Sequence, residues 1–311
     1  MRVLVTGGTG YLGRAVVRAL AARGHDVVVF ARGATASQLP GQPVDGDVRD
    51  FDAVDAAVQG CHAICHMAAL VSVWRRRPRD FDETNVNGLR HVLTAARRAG
   101  IRKVLYTSSF LALPPTGERH ALAVNDYQRT KVAAEQVAIA SERAGVPIIR
   151  LYPGVLYGPG AFTEANLVGR LLRDHMRGRL PGLIGAERLW SFTYVDDVAR
   201  AYVETVERGR IGQHYLLCGE NAPQMRAFEI VRQLTGRKLP RRIPYAVADV
   251  IGAAEEFRAR MTGRLPLLTR GTVEIFRHDW AYDSADAVRD LGYEITPLTD
   301  GVARTLASLS S

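Results

Sequence analysis

The sequence predicts an α/β fold: a doubly wound parallel sheet with a smaller, mostly helical C-terminal lobe. Three observations predict it. Short β-rich runs alternate with amphipathic stretches through the first two hundred residues. The runs are apolar almost throughout, as strands covered on both faces are. The first run also opens into a glycine-rich turn followed directly by a helical pattern, which is how a βαβ unit begins. Right-handed crossovers then wind the sheet outward in both directions.

The strand-like runs are Arg2–Thr6, Asp26–Ala31, Ala63–His66, Lys103–Ser108 and Pro147–Leu151, with a further strand expected just before Gly46. The helical patterns are Tyr11–Arg23, Phe81–Ala99 and Asn125–Ala144, each closed by a glycine: Gly24, Gly100 and Gly145. Glycine at that position accepts the left-handed backbone that ends a helix. After Gly158 the rhythm loosens, punctuated by Pro159-Gly160, Pro181-Gly182 and Gly263. The run Phe192–Val195, the helix Asp196–Arg208 and the run Tyr215–Cys218 read as a return to the first domain. The division is therefore 1–160 with 190–220 as the nucleotide-binding domain, and 161–189 with 221–311 as mainly a substrate lobe.

Composition narrows the function classes. The 311 residues are 47% hydrophobic and 23% charged, ordinary globular values that exclude a disordered or fibrous chain. No apolar run reaches the roughly 18 residues that suggest a transmembrane helix, and the N-terminus lacks the pattern of a signal peptide. Lys and Arg number 41 against 32 acids, a net charge of +9. Only Lys103, Lys131 and Lys238 are lysines. Arginine is the chain's default cation, spread over helix surfaces, so no nucleic-acid partner is expected; Arg75-Arg76-Arg77 reads as a solvated loop. Cys61, Cys65 and Cys218 are too few for a disulfide framework and suit a reducing cytoplasm. No metal site is expected.

Gly7-Gly8-Thr9-Gly10-Tyr11-Leu12-Gly13 follows the first strand and satisfies G-x-G-x-x-G from Gly8. Gly7 and Gly10 permit a tight turn and close backbone approach to a pyrophosphate, Gly13 lets the helix pack against the sheet, and the helix N-terminus offers free N–H groups. At the end of the second strand, where NAD binders place an acid for the ribose hydroxyls, stand Ala31 and Arg32. A guanidinium can grip a 2′-phosphate, and Arg14 can assist. The expected cofactor is NADP(H), with NAD(H) as the alternative. Asp47 and Val48 suit the adenine end. Met67, Ala68 and Ala69 are small or slender enough for backbone approach near the nicotinamide-side ribose, and His66 reads as structural.

The fifth strand runs into Ser108-Ser109, and Tyr127-x-x-x-Lys131 lies downstream. At i, i+4 on a helix the phenol and ammonium share one face. A nearby ammonium lowers a phenol's pKa from about 10, and the Ser109 hydroxyl can donate to a carbonyl oxygen. Lysine stands here in a chain that uses arginine nearly everywhere else, and the forked guanidinium would not serve.

Together these motifs resemble the extended short-chain dehydrogenase/reductases of the NAD-dependent epimerase/dehydratase superfamily. The resemblance also rests on Asn85-Val86-Asn87-Gly88, Leu151–Gly160, Phe192–Val198, Tyr282-Asp283-Ser284 and Leu291-Gly292-Tyr293. It implies a Rossmann sheet, a catalytic set of Ser109, Tyr127 and Lys131, and a supporting role for the helix carrying Asn85. It further implies that Tyr152, Pro153, Gly154 and Val155 pass beside the nicotinamide, and a homodimer through Phe81–Ala99 and Asn125–Ala144. His66–Trp74 and Tyr106–Ser109 are similar to dihydroflavonol-4-reductase-like proteins, a group that includes hopanoid-associated sugar epimerases and relatives of 3β-hydroxysteroid dehydrogenases. The loop from Ser109 to Tyr127 is shorter than in plant dihydroflavonol reductases.

Three functions are weighed. One is an NADPH-dependent oxidoreductase acting on a carbonyl or secondary alcohol of a mainly apolar small molecule, with Leu70, Trp74, Phe110, Leu111 and Phe192 lining its substrate site. The second is a nucleotide-sugar epimerase or dehydratase with tightly bound NAD, using Asn166 and Arg170. Against it, Phe110 and Leu111 stand where a dehydratase needs acids. The third, a non-enzymatic NADP sensor, is opposed by the intact Ser109, Tyr127 and Lys131.

Overall fold

The computed structural model describes residues 1–309. Its centre is a seven-stranded parallel sheet in the order β3-β2-β1-β4-β5-β6-β9. The strands are β1 (Arg2–Thr6), β2 (Asp26–Ala31), β3 (Gln42–Asp45), β4 (Ala63–His66), β5 (Lys103–Thr107), β6 (Ile148–Pro153) and β9 (His214–Leu217). The strand order reverses at β1, where β2 leaves to one side and β4 to the other. In such sheets the crevice outside the strands' carboxyl ends is the ligand position.

Helices cover both faces because the strands are apolar on both. One face packs α1 (Tyr11–Ala22) and α7 (Val195–Arg208) over Val3, Val5, Val27 and Val29. The other packs α2 (Phe51–Ala57), α4 (Gly88–Arg98) and α5 (Asp126–Arg143) over Leu4, Val28, Ile64 and Val104. α4 is not the plain helix its pattern suggests. The short α3 (Arg79–Phe81) passes through a π-helical turn at Asp82–Asn87 before α4 begins. Such turns mark functional sites more often than chance. Here the turn carries Asn85, whose Oδ1 accepts from the Leu70 N–H at 2.7 Å and whose Nδ2 donates to Thr130 Oγ1 at 3.0 Å. The loop after β4 is thereby tied to α5.

The second layer departs from the sequence reading in two places. β8 (Leu189–Tyr194) does not return to the main sheet. It joins a three-stranded sheet with β7 (Val155–Tyr157) and β10 (Glu220–Pro223), in the order β10-β8-β7. Its apolar residues Trp190, Phe192 and Tyr194 face a separate core that also takes in α6 (Leu167–Met176), α8 (Gln224–Thr235) and α12 (Leu298–Ala307). Conversely, α11 (Ala285–Leu291) packs on the main sheet rather than in the lobe, because Ala287, Leu291 and Tyr293 bury among the residues of α7 and β9. The lobe is completed by α9 (Tyr245–Thr262) and α10 (Arg270–Ile275). Among the described residues no helix is long and apolar enough to cross a membrane. No group of His, Cys, Asp or Glu side chains there is arranged to hold a metal ion.

Candidate active site

The carboxyl ends of β1, β2, β4, β5 and β6 open into one cleft of about 1460 Å³ between the sheet and the lobe. A single ligand site is typically about 300–1,000 Å³, so the cleft has room for a dinucleotide and a second molecule.

One end is the glycine loop. Gly7 has φ +72°, the left-handed region, and its carbonyl accepts from the Gly10 N–H at 2.9 Å. A Cβ at Gly13 would lie 2.2 Å from the Gly7 oxygen, so only glycine lets α1 start this close to the loop. A Cβ at Gly10 would meet only that same oxygen, at 3.1 Å. Otherwise it would fill open cleft, as expected where a ligand's backbone approaches. No side chain caps α1, which leaves its first N–H groups to a ligand. The Tyr11 hydroxyl is buried without a hydrogen-bond partner among the described residues. These features fit a pyrophosphate. Thr9, Leu12, Met67, Ala68 and Ala69 line the same cleft.

At the adenosine end, Ala31, Arg32, Asp47 and Val48 line the wall, with Arg14 and Arg18 on α1. The Arg32 side chain is 78% exposed and its nearest acid, Asp47, is 4.0 Å away. Asp47 is already held by Arg49 at 2.7 Å. That hydrogen bond keeps its carboxyl below the usual range.

At the other end Ser109, Tyr127 and Lys131 all line the cleft. Ser109 lies just beyond β5, where its Oγ accepts from the Leu111 N–H at 3.2 Å and so starts a short helical turn. α5 carries Tyr127 and Lys131 one turn apart, and Asn125 caps it by accepting from the Gln128 N–H at 2.8 Å. Burial pushes the Tyr127 phenol up to about 12, with a smaller downward pull from the facing Ser109 hydroxyl. Lys131 does not lower the phenol as the i, i+4 spacing suggests. Its Nζ donates instead to the Thr107 carbonyl at 3.0 Å. Burial brings its own pKa down to about 8, partly opposed by Glu135.

Glu135 was not singled out from the sequence, although its spacing of four from Lys131 puts both on one helix face. It is 6% exposed. It accepts from Ser108 Oγ at 2.6 Å, Tyr152 Oη at 2.5 Å and Arg150 Nη1 at 2.9 Å. The network pins the end of β5, β6 and α5 to one another directly beneath Lys131. It also explains Tyr152. Pro153, Gly154 and Val155 line the cleft, whereas Tyr152 turns its ring to Glu135 and does not.

Of the substrate-side candidates, Leu70, Phe110 and Leu111 line the cleft. Phe192 does not: it is 2% exposed in the lobe core, edge-on to Tyr157 at 6.3 Å. Trp74 lies outside the lining as well, with its carbonyl accepting from Ser72 Oγ at 2.9 Å. Val71, Leu156, Leu167 and Leu265 take their places; no local motif marks them. Asn166 spends its side chain within the fold, accepting from the Gly169 N–H and donating to the Gly158 carbonyl at 3.1 Å. Neither it nor Arg170 lines the cleft. His66 is buried, with Nδ1 2.8 Å from Thr6 Oγ1, and does not line the cleft. Burial and the Lys131 charge hold its pKa near 3.

A glycine-loop Rossmann sheet with Ser, Tyr and Lys converging on one cleft defines an extended short-chain dehydrogenase/reductase. Residues 3–218 match the model of the NAD dependent epimerase/dehydratase family, and the chain belongs to that family. It is 31% identical to sterol demethylase protein B of Methylococcus capsulatus (strain Bath), over 94% of this chain and 93% of that one. It is 30% identical to 2-alkyl-3-oxoalkanoate reductase of Stenotrophomonas maltophilia, over 99% of both. Among solved structures, gox2253 superimposes with a TM-score of 0.83 at 30% identity, covering 99% of this chain and 97% of that one.

Proposed function

We propose that the protein is an NADP(H)-preferring oxidoreductase acting on a carbonyl or secondary alcohol of a mainly apolar small molecule. The observation that carries this reading is the character of the cleft: Ser109, Tyr127 and Lys131 line it together with the apolar Leu70, Val71, Phe110, Leu111 and Leu265. The two relatives named above, one of a sterol demethylation system and one a keto-acid reductase by name, support it.

The residues fit a dinucleotide laid from the adenosine wall (Arg32, Asp47, Val48) across the glycine loop to Met67–Ala69 and Pro153–Val155. Once bound, it supplies or accepts the hydride. The preference for the phosphorylated form rests on Ala31 and Arg32, since a carboxylate at position 31 would repel a 2′-phosphate, whereas Arg32 can swing onto it. Tyr127 Oη carries the proton to or from the substrate oxygen. With a pKa near 12 in the free protein it holds its proton at neutral pH, and donation leaves a phenolate that needs positive charge. Lys131 provides that charge once its ammonium turns from Thr107 toward the phenol. Ser109 Oγ donates to the substrate oxygen and orients it. The same reading includes a homodimer through α4 and α5.

The family also contains epimerases, and a nucleotide-sugar epimerase with tightly held NAD is the competing reading. Asn166 is consumed by its cap and Arg170 lies off the cleft, which weakens it. The test is Tyr127→Phe, assayed for NADPH oxidation against medium-chain and cyclic ketones. Turnover should fall about 10²–10⁴-fold while NADPH still quenches tryptophan fluorescence with unchanged affinity. Unchanged turnover would remove Tyr127 from the reaction.

A further inference from the structure

α9 has its amphipathic pattern inverted. A surface helix normally buries its large apolar residues and exposes polar ones. Here the buried positions are small, Ala248, Gly252 and Ala259. At Gly252 even a Cβ would come within 3.0 Å of the Arg270 nitrogen. The large apolar residues point outward. Val247, Val250, Phe257 and Met261 recur at helical spacing and are 49%, 71%, 68% and 73% exposed. The chain that follows adds Leu265 at 44% and Leu267 at 88%. Among the described residues, most of the exposed large hydrophobic side chains fall in this one segment. A contiguous apolar patch of this kind marks an interaction surface.

Its electrostatic setting selects the partner. The acids of α9 are neutralised within the fold, Asp249 by Arg277, Glu255 by Arg258 and Glu256 by Arg270. Arg260 and Arg264 are exposed and form no ion pair among the described residues. The arginine run of residues 75–77 comes to the same place, with Arg76 packed beside Gly263 at the helix end. Arg75 and Leu265 both line the catalytic cleft. The surface is therefore an apolar ridge fringed by unpaired guanidinium groups, bordering the cleft.

We propose that this face docks on an anionic phospholipid bilayer, with Val250, Phe257, Met261 and Leu267 entering the acyl boundary and Arg76, Arg260 and Arg264 meeting the phosphates. Interfacial helices with an apolar face and flanking cations bind in this way. A second copy of the chain is the poorer occupant. A two-fold contact lays the patch on its own copy, which would bring two sets of unpaired arginines into one interface with no acids to meet them. The docking rests on the surface alone. That the cleft then opens toward the bilayer, so that a lipid-soluble substrate can enter without crossing water, rests on the redox reading above.

The experiment is flotation of the whole protein with vesicles of phosphatidylglycerol and phosphatidylcholine, equimolar, against vesicles of phosphatidylcholine alone. The protein should float with the anionic vesicles, at least about tenfold more than with the neutral ones. Binding should fall as salt is raised to about 0.5 M, where screening shortens to a few ångströms. The double variant Phe257→Glu/Met261→Glu should lose at least about tenfold of this binding. Arg76→Glu/Arg264→Glu should abolish the preference for anionic vesicles. NADPH titration of each variant reports on the fold and nucleotide site, so its failure in the parent protein would count against the redox reading and leave docking intact. No flotation with anionic vesicles, equal binding to both compositions, or undiminished binding by both variants overturns the proposal. So does self-association that Phe257→Glu/Met261→Glu dissolves in a protein that never floats.

Discussion

Lys131 allows a quantitative test, because its position opposes stability while the reaction requires it. Unfolded lysine holds its proton up to its ordinary 10.5, whereas folded Lys131 releases it near 8. Keeping it charged below pH 8 therefore destabilises the folded state by about 3 kcal/mol, at ~1.4 kcal/mol per decade. Lys131→Met removes that burden. It also removes the hydrogen bond to the Thr107 carbonyl, a loss of about 1 kcal/mol. The variant should thus be about 2 kcal/mol more stable than the parent at pH 7. Between about pH 8 and 10.5 folded wild type is deprotonated while unfolded chain is still charged, so wild-type stability rises relative to the variant. The variant's advantage should vanish or reverse by about pH 10. Urea denaturation of both nucleotide-free proteins at pH 7 and pH 10, followed by circular dichroism, measures this. A variant no more stable than wild type at pH 7, or an advantage independent of pH, would refute the reasoning.

Two other substitutions probe separate parts of the site. Arg32→Glu puts a carboxylate beside the adenosine end and should weaken NADPH binding about tenfold or more with little effect on NADH, read by fluorescence titration of both nucleotides. Glu135→Leu leaves Ser108 and Tyr152 without their acceptor and Arg150 with Glu142, at 3.2 Å, as its one remaining carboxylate beside the Tyr152 hydroxyl. Breaking a buried pair from one side is worth about 3 kcal/mol or more, and the loss should appear as a lowered urea midpoint, whereas Glu135→Gln, which keeps an acceptor oxygen, should lose less.

Local patterns in the sequence carry the main sheet well, because its strands are set by short apolar runs and its helices by capping and glycine stops. β1, β2 and β4 end at the residues their composition suggests. The glycine loop and the Ser109, Tyr127 and Lys131 positions are legible for the same reason: each is a short motif whose neighbours in the chain are its neighbours in space. What is not legible depends on pairing at a distance. β8 looks like any buried strand, and nothing near it in the chain says that it pairs with β10 and β7 instead of β9. Phe192 goes with it into the lobe core. Tyr152 lies in a motif that passes the cleft, but its hydroxyl is taken by Glu135, far along the chain, and its ring turns that way. The π-helical turn at Asp82–Asn87 leaves no mark on hydrophobic periodicity, since it shifts the register by a single residue between two helical stretches.

The most direct test of the central claim uses purified protein with no added cofactor. The protein is denatured, and the released nucleotide is identified and quantified. The account predicts an empty protein, or one that releases NADP(H) and exchanges it readily with free nucleotide. Near-stoichiometric, non-exchanging NAD(H) would contradict it and indicate internal redox on a nucleotide sugar.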